Sequence, residues 1–247
     1  MKAVILIHGF ITSPKDFNPI YEYLYKNYDY VCKVVLPGHG ENDKYKYFNV
    51  DGSFNVCLQA YDKLKLEYDI IDLIGFSLGG ALATYLASVR DINKLVLLAP
   101  ANKYLRIGFI SAFFKKHHEF HRRYRALKKK KDPRANSYAQ KMLELKTNNK
   151  ISIKMALFKL LPHYNLHNLK VFQKIVKRCN KSLTTISSQT LICWGRLDQL
   201  VPYKSIRYVE GYLKDYKEVV YTDLSHLMLK SINISFLLND IKRFLSE

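Results

Sequence analysis

Short runs of Val, Ile and Leu at 3–7, 31–36, 70–74 and 95–99 alternate with longer segments of helical period through the first hundred residues. That alternation is the pattern of βαβ units, and runs that are apolar at nearly every position suit strands covered on both faces. Two further runs, at 190–194 and 218–222, follow a long interval and are separated by another helical segment. With right-handed crossovers the six runs make one parallel sheet with helices on both faces. Helices are expected at 14–25, where Ser13 is the N-cap and Pro14 takes the first helical position, and at 54–68, 78–89, 203–213 and 232–245.

The interval from 101 to 189 differs in kind. It has helical period in pieces and no strand signal, and it holds 22 Lys and Arg against 3 Asp and Glu. The rest of the chain holds 18 of each, so this interval carries the whole net charge of +19. A compositional bias toward lysine would be spread through the chain and does not explain that localisation. A chain of 247 residues suits one domain with an insertion. The expected division is an α/β core formed by 1–100 and 190–247, with 101–189 as a basic helical insertion after the fourth strand.

Gly75-Phe76-Ser77-Leu78-Gly79 closes the third run and opens the helix at 78–89. A Gly-x-Ser-x-Gly in that strand-to-helix setting reads as a nucleophile elbow. The serine must sit on a sharp, strained turn with its hydroxyl above the sheet, so small residues must flank it; Gly75, Gly79 and Gly80 meet that demand. A serine hydroxyl attacks only when a base takes its proton and an acid holds that base in the right tautomer. In this setting the chain order is serine, acid, histidine. Asp198, in Trp194-Gly195-Arg196-Leu197-Asp198, follows the fifth strand, and His226, in Leu224-Ser225-His226, follows the sixth. Both lie past the carboxyl ends of their strands, the edge where open α/β sheets place their sites. Singly, Asp198 reads equally as a helix N-cap and His226 as a loop histidine; together, in order and at strand ends, they read as acid and base. Asp223 is a rival acid, ranked below Asp198 because it sits three residues from His226 on the same loop. Oxyanion donors are expected from the backbone N–H of Leu78, at the helix N-terminus, and of Phe10, in His8-Gly9-Phe10 after the first strand. His8 reads as structural, and His39, in Pro37-Gly38-His39-Gly40, as a turn residue with no catalytic role.

These segments together resemble the small bacterial carboxylesterases and monoacylglycerol lipases of the α/β-hydrolase superfamily, over residues 3–100 and 190–245. The resemblance implies an α/β-hydrolase fold with a minimal six-stranded parallel sheet. It makes the 101–189 insertion a helical cap, with an acyl chain held between cap and core near Phe10. The activity implied is hydrolysis of carboxylic esters through Ser77, His226, Asp198 and an acyl-enzyme, the substrate being a short- to medium-chain acyl ester, a monoacylglycerol or a lysophospholipid. Thioester hydrolysis, acyl transfer and carbon–carbon bond hydrolysis use the same triad and stay open, as does a ligand-binding or membrane-docking protein that keeps the pocket without turnover. A serine at the elbow argues against the epoxide hydrolases and haloalkane dehalogenases of this fold, which use a carboxylate there.

This chemistry needs no cofactor and no metal. His117, His118, Glu119 and His121 do not reproduce His-Glu-x-x-His and lack a convincing third ligand. Cys32, Cys57, Cys179 and Cys193 show no Cys-x-x-Cys pair and read as reduced thiols. The N-terminal apolar run is too short for a signal peptide, and charges interrupt every candidate membrane span, so a cytoplasmic protein is expected. The basic insertion, with Arg122, Arg123, Arg125 and Lys128 to Lys131, suits an anionic membrane surface or an acidic lipid substrate as well as a plain solvated face. No nucleic-acid recognition motif accompanies the charge, so no specific nucleic acid is expected.

Overall fold

The structure, a computed structural model, describes residues 1–103, 122, 125–126, 128–129, 132, 166–181 and 183–247. Its strands are β1 (Lys2–Ile7), β2 (Tyr30–Val34), β3 (Ile70–Phe76), β4 (Lys94–Leu98), β5 (Gln189–Gly195) and β6 (Tyr216–Tyr221). They form one sheet in the order β2-β1-β3-β4-β5-β6, with every neighbouring pair parallel. The four inner strands are buried along almost their whole length, as their continuous Val, Ile and Leu content requires. The edge strands β2 and β6 are partly exposed and carry Lys33, Lys217 and Glu218, charges of the kind that discourage edge-to-edge pairing.

The described helices are α1 (Asn18–Asn27), α2 (Val50–Lys65), α3 (Leu78–Val89), α4 (Leu166–Lys181), α5 (Tyr203–Glu210) and α6 (Ser235–Ser246). The first expected helix is in fact two elements. Pro14 opens a 3₁₀ turn, Pro14–Phe17, and α1 starts at Asn18 with Pro19 in its first turn. A continuous helix from 14 would set the Pro19 ring against the carbonyl of Lys15 and leave that carbonyl without its donor, so the helix restarts where a proline is tolerated. The second helix begins four residues earlier than its apolar period suggests, because the Asn49 side chain accepts the Gly52 N–H at 2.7 Å and caps it.

The chain divides into two compact units, one formed by Met1–Leu105 with Pro162–Glu247 and the other by Arg106–Leu161. Among the described residues, 166–181 and 183–189, grouped with the insertion on composition, lie in the same compact unit as the sheet. The reason lies in α4. Its inner stripe, Val171, Phe172, Ile175 and Cys179, is buried, while Lys170, Lys174, Lys177 and Arg178 cover its outer face. A basic outer face says nothing about what the inner face packs on, and composition averages the two. In the second unit Arg122, Arg125, Lys128 and Lys129 are helical and exposed. Arg123, Lys130 and Lys131 lie outside the described residues, as do His117, His118, Glu119 and His121.

The connection leaving β1 runs to β2 on one side of the sheet, whereas that leaving β3 runs to β4 on the other. The carboxyl ends of β1 and β3 are adjacent strand ends flanking the point where the winding reverses, the place where such sheets hold ligands.

Candidate active site

Ser77 stands at that point, immediately after β3 and before α3, with φ 54° and ψ −115°. A positive φ on a residue with a Cβ is strained and persists only where the surroundings over-determine it. Here the Ser77 N–H donates to Leu98 O at 2.9 Å, and Ser77 O accepts from Ala81 at 3.2 Å and Ala101 at 3.0 Å, so β4 and α3 both hold the turn. The first turn of α3 lies so close to the end of β1 that a Cβ at position 79 would fall 2.0 Å from Ile7 O. Only glycine fits there.

The Ser77 hydroxyl is 2.9 Å from His226 Nε2, and His226 Nδ1 is 2.8 Å from Asp198 Oδ2. Serine, aspartate and histidine are each no more than 6% exposed. The other carboxylate oxygen of Asp198 accepts the N–H groups of Leu200 and Val201, both at 2.8 Å, and Trp194 Nε1–H ties the Val201 carbonyl at 2.9 Å. Asp198 is thus an acceptor in the turn after β5 and at the same time a partner of the imidazole. The carboxylate on Nδ1 puts the histidine proton on that nitrogen and leaves Nε2 as the acceptor facing the hydroxyl. The Phe76 ring lies 5.3 Å from the His226 ring and covers it. Lys230, four residues after His226, pairs with buried Asp16 at 2.7 Å and anchors the histidine loop to the turn before α1. Asp223 is exposed and accepts from Asn233 Nδ2 at 2.6 Å, and no bond joins it to His226.

The loop leaving β1 runs alongside Ser77, where a Cβ on Gly9 would lie 3.1 Å from Ser77 Cβ. The Phe10 peptide follows directly, and Leu78 begins the helix on the other side of Ser77. His8 and His39 flank this loop, and both are buried. His8 Nε2 accepts the Leu36 N–H at 3.1 Å while its Nδ1 faces Gly9 O at 2.8 Å. His39 Nε2 accepts the Ile11 N–H at 3.0 Å while its Nδ1 faces Pro37 O at 3.0 Å. A donor on one nitrogen and a carbonyl on the other leave room for one state only, the neutral ring with its proton on Nδ1. These rings therefore cannot take a proton from a substrate, whereas the Nε2 of His226 faces a hydroxyl that can give one. The sequence shows these two histidines only as neighbours of glycine at strand ends; their partners are backbone groups, which leave no signature in residue type.

Burial pushes His8 down to about 3, with nearby His39 adding to the effect, and burial likewise lowers His39 against the opposing pull of the Pro37 carbonyl and Asp43. Both rings then bind fewer protons folded than unfolded, where histidine titrates near about 6.5. Their contribution to stability is complete above that value and is lost as the pH falls through it. Urea midpoints are expected to drop between pH 7 and pH 5, a window in which most carboxylates stay ionised. Equal midpoints across that window would contradict the neutral state of the two rings.

Residues 2–230 match the model of a family described as the alpha/beta hydrolase fold. The chain belongs to the α/β-hydrolase fold family. Among relatives of this α/β-hydrolase, the human (Homo sapiens) monoacylglycerol lipase ABHD6 is 25% identical in an alignment 213 positions long that covers 81% of this chain and 62% of the human protein. The chain thus spans less than two thirds of that relative's length. The Xenopus laevis monoacylglycerol lipase abhd6-B is 23% identical in an alignment 245 positions long that covers 91% of this chain and 69% of the frog protein. The crystal structure of a Paleococcus ferrophilus monoacylglycerol lipase superposes with a TM-score of 0.66 at 17% identity, covering 98% of this chain and 93% of that one. A lipase-esterase related protein from Clostridium acetobutylicum superposes with a TM-score of 0.63 at 16% identity, covering 98% and 94%. The superpositions establish the fold of the α/β-hydrolase core.

The Ser77, His226 and Asp198 arrangement can move a proton from the hydroxyl to Nε2 and stabilise the resulting imidazolium through the buried carboxylate. Among the described residues no group of three His, Cys, Asp or Glu side chains is placed to hold a metal ion. Among the same residues no helix is long and apolar enough to cross a membrane.

Proposed function

We propose that this α/β-hydrolase is a carboxylic ester hydrolase in which Ser77 is the nucleophile, His226 its base and Asp198 the residue that orients the base. The observation that carries the reading is the unbroken hydrogen-bonded chain from Ser77 Oγ through His226 to Asp198, built on a serine held at φ 54°. Ser77 Oγ attacks the acyl carbon as its proton passes to His226 Nε2. The N–H groups of Phe10 and Leu78 bind the oxyanion, and the imidazolium returns the proton to the departing alkoxide. Water then enters by the same route, with His226 again the base, and releases the acid and free Ser77.

The substrate class proposed is a short- to medium-chain acyl ester, a monoacylglycerol or a lysophospholipid, in keeping with the names of the relatives. A hydrolysis profile over p-nitrophenyl esters, monoacylglycerols, lysophospholipids and acyl-CoA tests it. Turnover of glycerol or phenyl esters well above that of acyl-CoA is expected, and the reverse order would make the enzyme a thioesterase.

The basic insertion fits docking at an anionic membrane surface, with a peripheral rather than embedded enzyme. Each positive charge near such a surface contributes about 1 kcal/mol. Replacing Arg122, Arg125, Lys128 and Lys129 by Gln is expected to weaken binding to anionic vesicles by up to about 4 kcal/mol. Hydrolysis of a short neutral ester should stay unchanged. Binding of the parent should also fall with added salt, as the Debye length shortens from about 10 Å at 0.1 M. Equal sedimentation of parent and variant with anionic vesicles would leave these charges as a solvated face.

A further inference from the structure

Two loops meet beside the nucleophile, and the two buried histidines join them reciprocally. His8 begins the loop after β1 and accepts the Leu36 N–H of the loop after β2, at 3.1 Å. His39 stands in that second loop and accepts the Ile11 N–H of the first, at 3.0 Å. The ring centroids are 5.2 Å apart. We propose that His8 and His39 are positioning residues for the reaction, a reciprocal clamp that sets the Phe10 peptide beside Ser77 so that its N–H meets the oxyanion. The inference rests on the ester hydrolase reading and adds to it the means by which one oxyanion donor is held in place.

Three observations support it. First, Phe10 lies between the two clamped points, His8 on one side and Ile11 on the other, so its peptide orientation is set by both. Second, Ile11 has φ 57°, a conformation a β-branched residue adopts only under constraint. The bonds that bear on it are the Ile11 N–H to His39, the Thr12 hydroxyl to Gly9 O at 3.0 Å, and His8 Nδ1, which faces Gly9 O at 2.8 Å and lies 3.4 Å from Thr12 Oγ1. With His39 removed, Ile11 can relax and the Phe10–Ile11 peptide turns, so the neighbouring Gly9–Phe10 peptide, which carries the Phe10 N–H, is then held through Gly9 O by His8 Nδ1 at 2.8 Å and the Thr12 hydroxyl at 3.0 Å. Third, the loop is seated without slack against the nucleophile, since a Cβ on Gly9 would lie 3.2 Å from the Phe76 ring as well as 3.1 Å from Ser77 Cβ. Neutrality is what lets the clamp work. A protonated Nε2 would turn a donor toward the Leu36 or Ile11 N–H and break the bond. Burial keeps both rings in the neutral form.

Misplacement of a reacting or stabilising group by about 1 Å costs on the order of 100-fold in rate. In the full chain, His39→Leu is therefore expected to lower kcat on a short neutral ester by about 10- to 100-fold, with KM changed by no more than about threefold. His39→Gln, whose amide oxygen can replace Nε2 as the acceptor for Ile11, should restore most of that loss. A residue that merely fills space would shift the melting temperature without this split or this rescue. A folded His39→Leu protein with the parent's kcat overturns the proposal. Because replacing a buried histidine can unfold a protein, ¹⁵N imidazole spectra of the unmodified protein supply a second test. Both rings should hold the proton on Nδ1, with His8 neutral from pH 8 to pH 5 and His39 titrating below the ordinary histidine value of about 6.5, and a ring that carries its proton on Nε2, or a His8 that titrates in that range, overturns the clamp. Failure of the ester hydrolase reading would show elsewhere, as turnover that survives Ser77→Ala, and would leave the ring spectra unchanged.

Discussion

Ser77→Ala is expected to abolish ester turnover, with kcat falling on the order of 10⁶-fold, the size of effect seen when a serine is removed from a triad that acts as a unit. What remains should be the catalysis that the oxyanion donors and substrate binding supply alone, roughly 10³ to 10⁴ over water. The fold should tolerate the change. Alanine carries the same Cβ as serine at φ 54°, so it adds no strain, and the backbone bonds to Leu98, Ala81 and Ala101 do not involve the side chain. The melting temperature should stay close to the parent's, which separates loss of the attacking atom from loss of structure. Steady-state turnover of a p-nitrophenyl ester, with a thermal melt of the same sample, checks both. A variant within about tenfold of the parent would remove Ser77 from the mechanism.

Asp198→Asn should lower kcat by on the order of 10⁴, the effect of the same exchange in a serine protease triad. The local geometry gives the reason. Oδ1 accepts two backbone N–H groups, from Leu200 and Val201, and only an oxygen can fill that place. The new amide must therefore turn its NH₂ toward His226 Nδ1. A donor facing Nδ1 drives the imidazole proton onto Nε2, and the ring can no longer accept from Ser77. The turn after β5 is preserved, so stability should change little. Asp223→Asn should leave kcat nearly unchanged, because that side chain is exposed and bonded to Asn233. If Asp223→Asn were the damaging change, Asp223 would be the acid.

The six strands are legible in the sequence because a parallel sheet buries both faces and writes nearly unbroken Val, Ile and Leu runs. The turn at Ser77 is legible for a related reason, since close passage of α3 against β1 leaves no room for a side chain at Gly79. The order Ser77, Asp198, His226 and their places at strand ends can likewise be read in one dimension, and the three side chains meet in the structure. Elsewhere a local signal misleads. Ser13-Pro14 has the form of a helix start, but Pro19 forbids a helix that runs through it, and the α-helix begins at Asn18. The lysines of α4 mark its outer face and hide the stripe of Val171, Phe172, Ile175 and Cys179 that seats it with the sheet. His8 and His39 show the deeper reason. A histidine that accepts from the backbone of a distant loop looks, in sequence, the same as one that merely occupies a turn.

Labelling of the intact protein with a fluorophosphonate probe tests the nucleophile most directly, because only a serine whose proton is drawn off by a base reacts with it at an appreciable rate. At neutral pH a single adduct is expected, mapped by peptide mass to Ser77, absent from Ser77→Ala and strongly slowed in Asp198→Asn. An unlabelled parent, or an adduct mapped to any other residue, would contradict an activated Ser77.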